Sequence, residues 1–365
     1  MTTPLPMTPG RRTSLLLGVP VLLALLALSV HIFVFRILVL LVNENPTSRS
    51  VSLSVPVRGG QVRVTSNNGN VVFQTSPHTS QILVRGQLTS TFVRPVFAHQ
   101  VTASGLNIGP TCRVPVAICS ANFTVTGPSG LPVNLSAQFG NLTTSHLRGP
   151  VTLTGNSGDI YTSSLTGRIQ LTDQFGNIHA SRLDGTMRVV NNSGDIDISS
   201  LTGPIQLTDQ FGNIRASGLA GSTRLVNNSG DIKVSGATGD TQLRDAFGNV
   251  NVTGLSAATV AASDNSGDIT LRFTTVPRQV TVDDSFGNVT LVLPAGSTAY
   301  QVHTRNSFGS THVSVPQNPA ARDVIRVSNN SGDIAIINGG QPTPSSGPQP
   351  VRPVRPARPA RATRH

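Results

Sequence analysis

The sequence predicts an all-β protein: a parallel β-solenoid with coils of about 18 residues, preceded by one transmembrane helix. Two observations predict the solenoid, namely a turn-like motif that recurs at a fixed spacing and the alternation of apolar and polar residues between its copies. The composition agrees with an all-β fold, because long amphipathic helices depend on Glu and Lys. Glu44 is the only glutamate of the chain, and Lys233 is the only lysine.

The repeated motif reads NNSGDI or DQFGNI in its clearest copies. Its glycines follow one another at a constant spacing from Gly140 to Gly248, and the spacing then lengthens gradually towards Gly332. A fixed period of this length is typical of solenoids, in which each repeat is one coil. The motif glycines are Gly140, Gly158, Gly176, Gly194, Gly212, Gly230, Gly248, Gly267, Gly287, Gly309 and Gly332.

Between the glycines, apolar residues occupy every second position. Ile196 and Ile198 follow one motif, and Ile205 and Leu207 follow the next turn. This alternation predicts short strands with one buried face. The inward positions repeat with the same period as the glycines, so we expect two strands and two turns per coil. A 36-residue coil is the alternative, because residues 159–194 match residues 195–230 at 27 of 36 positions. The residues predicted to face outward are Tyr161, His179, Asp197, Arg215, Lys233 and Asn251.

Successive motifs differ in a regular way. The single aspartate follows the glycine in NNSGD but precedes it by three residues in DQFGN. This placement avoids a ladder of like charges at strand spacing, and Asn or Gln at the intervening places could form amide ladders. Phe175, Phe211 and Phe247 alternate with Ser193 and Ser229, which indicates large-over-small packing along the turns.

The SGDI and FGNI turns between short strands resemble the DUF4097 family, a bacterial β-strand-repeat domain labelled adhesin-like. Two flanking stretches agree with it: FTVTGPSGLPVNLSAQFGNL from Phe123, and VIRVSNNSGDIAI from Val324. The resemblance covers roughly residues 50–337. It implies this fold and an N-terminal membrane anchor, and it implies no catalytic residues.

An apolar run predicts the anchor itself. Residues 15–35 contain no Asp, Glu, Lys or Arg, and as a helix they would span about 30 Å, the thickness of a hydrocarbon core. Arg11 and Arg12 precede the run, which favours a cytoplasmic N-terminus at residues 1–13. We therefore expect a single-pass cell-membrane protein with an anchor at residues 14–42 and an extracytoplasmic solenoid at residues 50–339. The alternative is a long signal peptide that is cleaved.

The C-terminal segment, residues 340–365, is rich in proline and arginine and has no apolar periodicity. In a polyproline II helix, arginines at every third position line one edge and could bind an anionic cell-wall polymer or lipid headgroups. The alternative is a solvated, disordered tail that only aids solubility. The arginines in question are Arg352, Arg355, Arg358, Arg361 and Arg364.

The two cysteines, Cys112 and Cys119, are candidates for a disulfide bond, which an extracytoplasmic position allows. Buried free thiols and a zinc site are the alternatives, although two cysteines without a companion histidine pair make a weak metal site. Apart from this pair and the aspartates described next, the sequence contains no candidate for a metal site, and it predicts no cofactor.

Signals of catalysis are poor, because the sequence contains none of the common nucleotide-binding, metalloprotease or nucleophile motifs. Asp245, Asp264 and Asp284 share one turn position, with Asp268 and Asp283 nearby. Stacked, they could form an acidic column for a divalent cation such as Ca²⁺. The alternative is that these are solvated carboxylates that cap strand ends.

These observations predict a non-enzymatic, adhesin-like or cell-envelope interaction module whose partner is an anionic cell-wall polymer or another envelope protein. The alternative is an envelope-stress or signalling accessory that senses an envelope ligand, and a third hypothesis is a carbohydrate-active β-helix enzyme. We expect no nucleic acid to bind the solenoid. The net charge of +11 lies mainly at the two ends, and residues 51–340 carry 18 basic against 15 acidic groups.

Overall fold

The structure is a computed structural model that describes Ser29, Phe33 and residues 47–56, 60–77, 79–90, 96–102, 105–109 and 119–339. The predicted anchor and the arginine-rich tail therefore lie outside the described residues, apart from Ser29 and Phe33, which are helical. Within the described ranges, no helix has the length and apolarity needed to cross a membrane.

The chain divides into two compact units, residues 1–198 and residues 199–365. All the elements in the described ranges from residue 47 onward are strands, which confirms the all-β prediction. The strands of the first unit are β1 (Thr47–Pro56), β2 (Gln61–Asn68), β3 (Val71–Thr75), β4 (Gln81–Ser90), β5 (Ala98–Thr102), β6 (Gly105–Gly109), β7 (Cys119–Gly127), β8 (Val133–Phe139), β9 (Leu142–Ser145), β10 (Val151–Ser157), β11 (Ile160–Thr166), β12 (Ile169–Phe175), β13 (Ile178–Asp184) and β14 (Met187–Ser193). The division falls within β15 (Ile196–Thr202). The strands of the second unit are β16 (Ile205–Thr208), β17 (Ile214–Ala220), β18 (Thr223–Val226), β19 (Ile232–Ala237), β20 (Thr241–Arg244), β21 (Val250–Leu255), β22 (Thr259–Ser263), β23 (Ile269–Phe273), β24 (Gln279–Phe286), β25 (Val289–Leu293), β26 (Gln301–Phe308), β27 (Thr311–Val313), β28 (Val324–Ser331) and β29 (Ile334–Asn338).

In the first unit the strands form two sheets. The order is β1-β4-β7-β3-β9-β11-β13 in one sheet and β14-β12-β10-β8-β2-β6-β5 in the other. Three pairs at the outer ends of these sheets are antiparallel: β1 with β4, β4 with β7, and β5 with β6. The strands further inside pair parallel, beginning with β7 and β3 in one sheet and with β6 and β2 in the other. Regular coils thus begin only after an irregular end in which hairpin-like pairs occupy the outermost places.

The second unit has the same two-sheet arrangement. Its strand orders are β17-β19-β21-β23-β25-β29-β27 and β26-β28-β24-β22-β20-β18-β16. The register advances by one coil at a time: Ile214 pairs with Ile232, and Thr223 pairs with Thr241, so each partner lies one glycine period further along the chain. Each coil therefore has two strands, one in each sheet, and the alternative 36-residue coil is wrong.

The last two coils are not stacked in chain order. Strand β28 inserts beside β24, and β26 pairs on the outer side of β28. The sequence explains this exchange, because β28 supplies Ile325 and Val327 at the inward positions, whereas β26 has Val302 and the polar Thr304 at the positions that pair with them. A terminal repeat needs a polar outer face, so the more polar coil closes the end.

The core lies between the two sheets and consists of the apolar residues of the predicted alternation. In the regular coils Ile160, Ile178, Ile214 and Ile232 are fully buried at one position of the repeat. Every second residue of these strands points to solvent, which confirms that one face of each sheet is buried and the other is exposed to solvent. Within each unit, the regular coils therefore present their outward side chains in parallel columns, and each coil contributes one side chain per column.

Candidate functional site

The motif turn, which leads from a strand of one sheet to a strand of the other, carries three columns of side chains. We call them the inward column, three residues before the motif glycine; the ridge column, one residue before it; and the ladder column, one residue after it. Their chemistry differs because the first points into the core and the other two face solvent.

The motif glycines themselves stack on one another so closely that no side chain fits. A Cβ placed on Gly158 would lie 2.5 Å from the carbonyl oxygen of Gly140, and one on Gly332 would lie against that of Gly287. Gly158 and Gly332 also adopt φ angles of +128°, a region that favours glycine. The backbone of the turn is therefore fixed, and it holds the three columns at strand spacing.

The ladder column alternates Asn with Asp and is held by side-chain oxygens. Oδ1 of Asn213 accepts the backbone N–H of Asp231 (3.0 Å), and Oδ1 of Asp231 accepts that of Asn249 (2.8 Å). Oδ1 of Asn249 then accepts the N–H of Asp268 (3.0 Å), and the pattern continues through Asn288. An amide thus separates each pair of carboxylates, which is the physical reason for the alternation of SGD and FGN.

The inward column corrects the prediction for Asp245, Asp264 and Asp284. The sequence offers two interpretations, an acidic column for a divalent cation or solvated carboxylates that cap strand ends, but these residues are only 3%, 6% and 7% exposed. Their Oδ1 atoms accept backbone N–H groups at the start of the turn, at 2.8 Å from Ala246 in the first case. Their Oδ2 atoms are buried and have no hydrogen-bond partner.

Asparagine occupies other steps of the inward column and fills the same place with a donor. Nδ2 of Asn227 donates to the carbonyl oxygens of Gly230 (2.7 Å) and Gly212 (3.0 Å). A carboxylate at this step presents an oxygen where the amide presents an N–H. Burial accordingly raises the pKa of Asp245 and Asp284 to about 6 and also raises that of Asp264.

The ridge column is the exposed apolar feature of the motif turn. In the second unit its phenylalanines alternate with serines coil by coil, as the sequence predicts, but the rings project into solvent. Their exposed fractions are 54% for Phe211, 56% for Phe247, 56% for Phe286 and 71% for Phe308. In the first unit Phe139 and Phe175 are likewise exposed.

Outward side chains of the first unit form a small polar cluster. The hydroxyl of Tyr161 donates to Oδ2 of Asp159 (2.8 Å), and the ring of Tyr161 stacks on His179 with centroids 5.1 Å apart. Nδ1 of His179 lies 3.3 Å from Oδ2 of Asp197. The hydrogen bond with Asp159 raises the pKa of Tyr161, which keeps the phenol protonated. The cluster lies on an open strand face and not in a cleft.

A shallow trough of about 600 Å³ lies on the outward face of the second unit. Its walls are the ladder column and the next outward column of the same coils. Amides, carboxylates, a hydroxyl and two cationic side chains therefore face one open groove. The polar residues that line it are Asn213, Arg215, Asp231, Lys233, Asn249, Asn251, Asp268 and Thr270.

The other predicted sites are the metal site, the disulfide bond and the arginine-rich tail. Within the described ranges, no group of three or more His, Cys, Asp or Glu side chains is placed to hold a metal ion. Cys119 begins β7 and is not a free thiol, but Cys112 lies outside the described residues, so the disulfide stays a prediction. The five tail arginines also lie outside them.

The fold and its columns of repeated side chains define a β-solenoid repeat protein. The Toastrack DUF4097 family model matches residues 202–337, which confirms the predicted resemblance over that stretch. Among curated proteins no sequence matches this chain.

Eight chains of solved structures are similar to this chain, and three of them are the following. One is a putative adhesin from Parabacteroides merdae ATCC 43184 (11% identity, TM-score 0.30), which covers 78% of this chain and 96% of its own. Another is a putative adhesin from Bacteroides fragilis NCTC 9343 (15% identity, TM-score 0.24), with coverage of 80% and 98%. The third is a putative cell adhesion protein from Clostridium sporogenes ATCC 15579 (9% identity, TM-score 0.17), with coverage of 80% and 100%.

Proposed function

We propose that this protein is a non-enzymatic, adhesin-like module of the cell envelope, anchored by residues 14–42 with its solenoid outside the membrane. The observation that carries the proposal is the trough of the second unit. It gathers hydrogen-bonding side chains of both charges in rows that repeat at strand spacing, and such rows suit a polymer that repeats its own polar groups.

The chemistry of the trough supports binding rather than catalysis. Nucleophilic catalysis by side chains needs a base in hydrogen-bond reach of a nucleophile. The trough is open to solvent, and its carboxylates Asp231 and Asp268 are already engaged by the N–H groups of the next coil. Lys233 and Asn251 point outward from neighbouring coils and can bind hydroxyl or anionic groups of a wall polymer.

The test is the binding of the purified full chain to isolated cell envelopes. We expect Lys233→Ala combined with Asn251→Ala to lower the affinity about thirtyfold, because two hydrogen bonds worth ~1 kcal/mol each are lost. Arg326→Ala is the matched control, since Arg326 is an exposed cation on the other sheet of the same unit. Equal binding by the double variant and the wild type would remove the trough as the binding surface.

A further inference from the structure

We propose that the ridge column of the second unit is a homotypic docking surface, on which the phenylalanines of a second copy of this chain insert between those of the first. The ridge comprises Phe211, Phe247, Phe286 and Phe308, separated in space by the serines Ser229, Ser266 and Ser331. This inference does not depend on the trough or on its ligand.

The order of the ridge follows from the backbone hydrogen bonds of the turns. Gly248 donates to Ser266 (3.0 Å), Gly267 to Phe286 (2.9 Å) and Gly287 to Ser331 (2.9 Å), so each phenylalanine has a serine on the adjacent coil. Neighbouring coils are ~4.8 Å apart, which separates successive rings by roughly 10 Å. Above each serine there is consequently an open slot flanked by two exposed rings.

The width of this slot fits one aromatic ring. A ring placed midway between two ridge phenylalanines would lie ~4.8 Å from each, within the roughly 4.5–7 Å at which aromatic pairs attract. A second copy offers rings at the same period, so one docking step fills several slots together. A two-fold axis beside Phe247 and Ser266 would place Phe247, Phe211 and Phe286 of each copy over Ser266, Ser331 and Ser229 of the other.

The surroundings of the ridge favour association between identical surfaces. No charged residue occupies the ridge column or the column before it in this unit, where Gln210, Asn228, Ala246 and Asn265 lie. The ridge itself therefore meets a second copy without burying an unpaired charge, and the nearest exposed acidic side chains are Asp231, Asp268 and Asp333 of the ladder column, two residues further along the chain. Closed two-fold contacts use the same patch on both partners, and a strict alternation of large and small side chains is complementary to itself when shifted by one coil.

The exposed area is sufficient for a weak dimer. A phenylalanine that is a little over half exposed presents roughly 100 Å², so the four rings present about 400–500 Å². Apolar patches of this size on a monomer are often functional. The three rings that insert, Phe211, Phe247 and Phe286, supply about 300 Å², somewhat over a third of the ~800 Å² per partner of a standard interface, and the polar turn residues beside them supply the rest.

The test measures the mass of the purified full chain as a function of concentration, by light scattering with the detergent contribution subtracted. We expect a reversible dimer whose dissociation constant rises at least about tenfold in the double variant Phe247→Ser, Phe286→Ser. Val276→Ser, which removes an exposed apolar side chain at the opposite turn, should leave the dimer unchanged. Lys233→Ala should also leave it unchanged, which separates this proposal from the proposed function.

A second variant distinguishes interdigitation from general stickiness. Ser266→Phe adds apolar surface but fills the central slot, so the proposed packing predicts a weaker dimer, whereas nonspecific association predicts a stronger one. Thermal unfolding of each variant verifies that the fold is retained. The proposal is overturned if the wild type is monomeric at all concentrations or if Ser266→Phe dimerises more tightly. A monomeric chain that loses envelope binding in the Phe247→Ser, Phe286→Ser variant would instead assign the ridge to a wall polymer.

Discussion

At the inward column of the motif turn, asparagine forms hydrogen bonds with the glycine carbonyl groups, whereas aspartate does not. The amide of Asn227 satisfies two glycine carbonyls, while the carboxyl of Asp245 leaves Oδ2 without a partner in the core. A neutral carboxylic acid has one O–H donor and can imitate the amide, but a carboxylate cannot. An aspartate at this position of the motif therefore lowers the free energy of unfolding by an amount that depends on pH.

The sign of that dependence follows from the shifted pKa. The pKa of Asp245 is about 6 in the folded protein against an ordinary value of 3.8, because burial and the nearby carboxylate of Asp264 disfavour the charged form. The folded state thus binds the proton more tightly than the unfolded chain. The contribution of this protonated carboxyl to the free energy of unfolding is complete below about pH 4 and is lost as the pH rises through about 6.

We therefore expect Asp245→Asn to stabilise the protein. At about pH 7.5 the free energy of unfolding should increase by about 1–3 kcal/mol, since the amide restores the missing hydrogen bonds and no charge is buried. The gain should shrink towards pH 4, where the carboxyl of the wild type is protonated. Denaturant unfolding at several pH values measures both effects, and Asn227→Asp is the control that should show the opposite change. A gain that does not vary with pH would contradict this account.

At the level of the strands, the order of the last two coils shows that the spacing of a repeat does not determine the order in which its coils stack. The motif glycines Gly309 and Gly332 predict coils that follow each other along the chain, yet the later coil lies inside. The signal was present in the sequence, because QVHTRNSF has only one apolar residue, Val302, at the positions where VIRVSNNS has Ile325 and Val327. Spacing alone identifies coils, and the apolar content of each strand decides which coil is covered on both sides.

This order makes a prediction about two residues at the same step of the coil. Ile325 of β28 pairs with Val302 of β26, but Ile325 is fully buried and Val302 is partly exposed. Ile325→Ala should destabilise the protein by about 2–4 kcal/mol, the cost of a core cavity, and Val302→Ala by less than about 1 kcal/mol. Equilibrium unfolding of the two variants measures the difference. Similar losses, or a larger loss for Val302→Ala, would place β26 rather than β28 in the interior.

Across the whole molecule, the sequence predicted architecture better than surface function. Period and alternation determined the length of the coil, since both arise from strand geometry that every coil shares. The burial of Asp245 continues the alternation of the buried Thr241 and Leu243 and could have been inferred in the same way, whereas the exposure of Phe247, at the next such position, could not. Phe247 directly precedes Gly248, where the chain turns towards the other sheet, and there the two-residue alternation no longer determines which side chain faces the core.

The distribution of charge along the whole chain can be counted directly from the sequence. Residues 51–340 carry a net charge of only +3, whereas five arginines follow them without any acidic residue. The nearly neutral solenoid has little electrostatic attraction for an anionic surface, so such attraction should depend on the tail. Each arginine near an anionic membrane contributes about 1 kcal/mol at most, and the effect decays within a Debye length of ~8–10 Å.

Deletion of residues 351–365 should therefore weaken binding of the full chain to anionic lipid vesicles or wall polymer at low salt by about tenfold or more. At high salt the deletion variant and the wild type should bind equally, because screening removes the contribution of the tail. Replacing Arg352, Arg355, Arg358, Arg361 and Arg364 by glutamine is the matched control, since it keeps length and proline content and should reproduce the deletion. Sedimentation with vesicles of varied anionic content measures the affinity. Binding that survives the deletion at low salt, or that does not respond to salt in the wild type, would exclude the arginines as the anionic-polymer site.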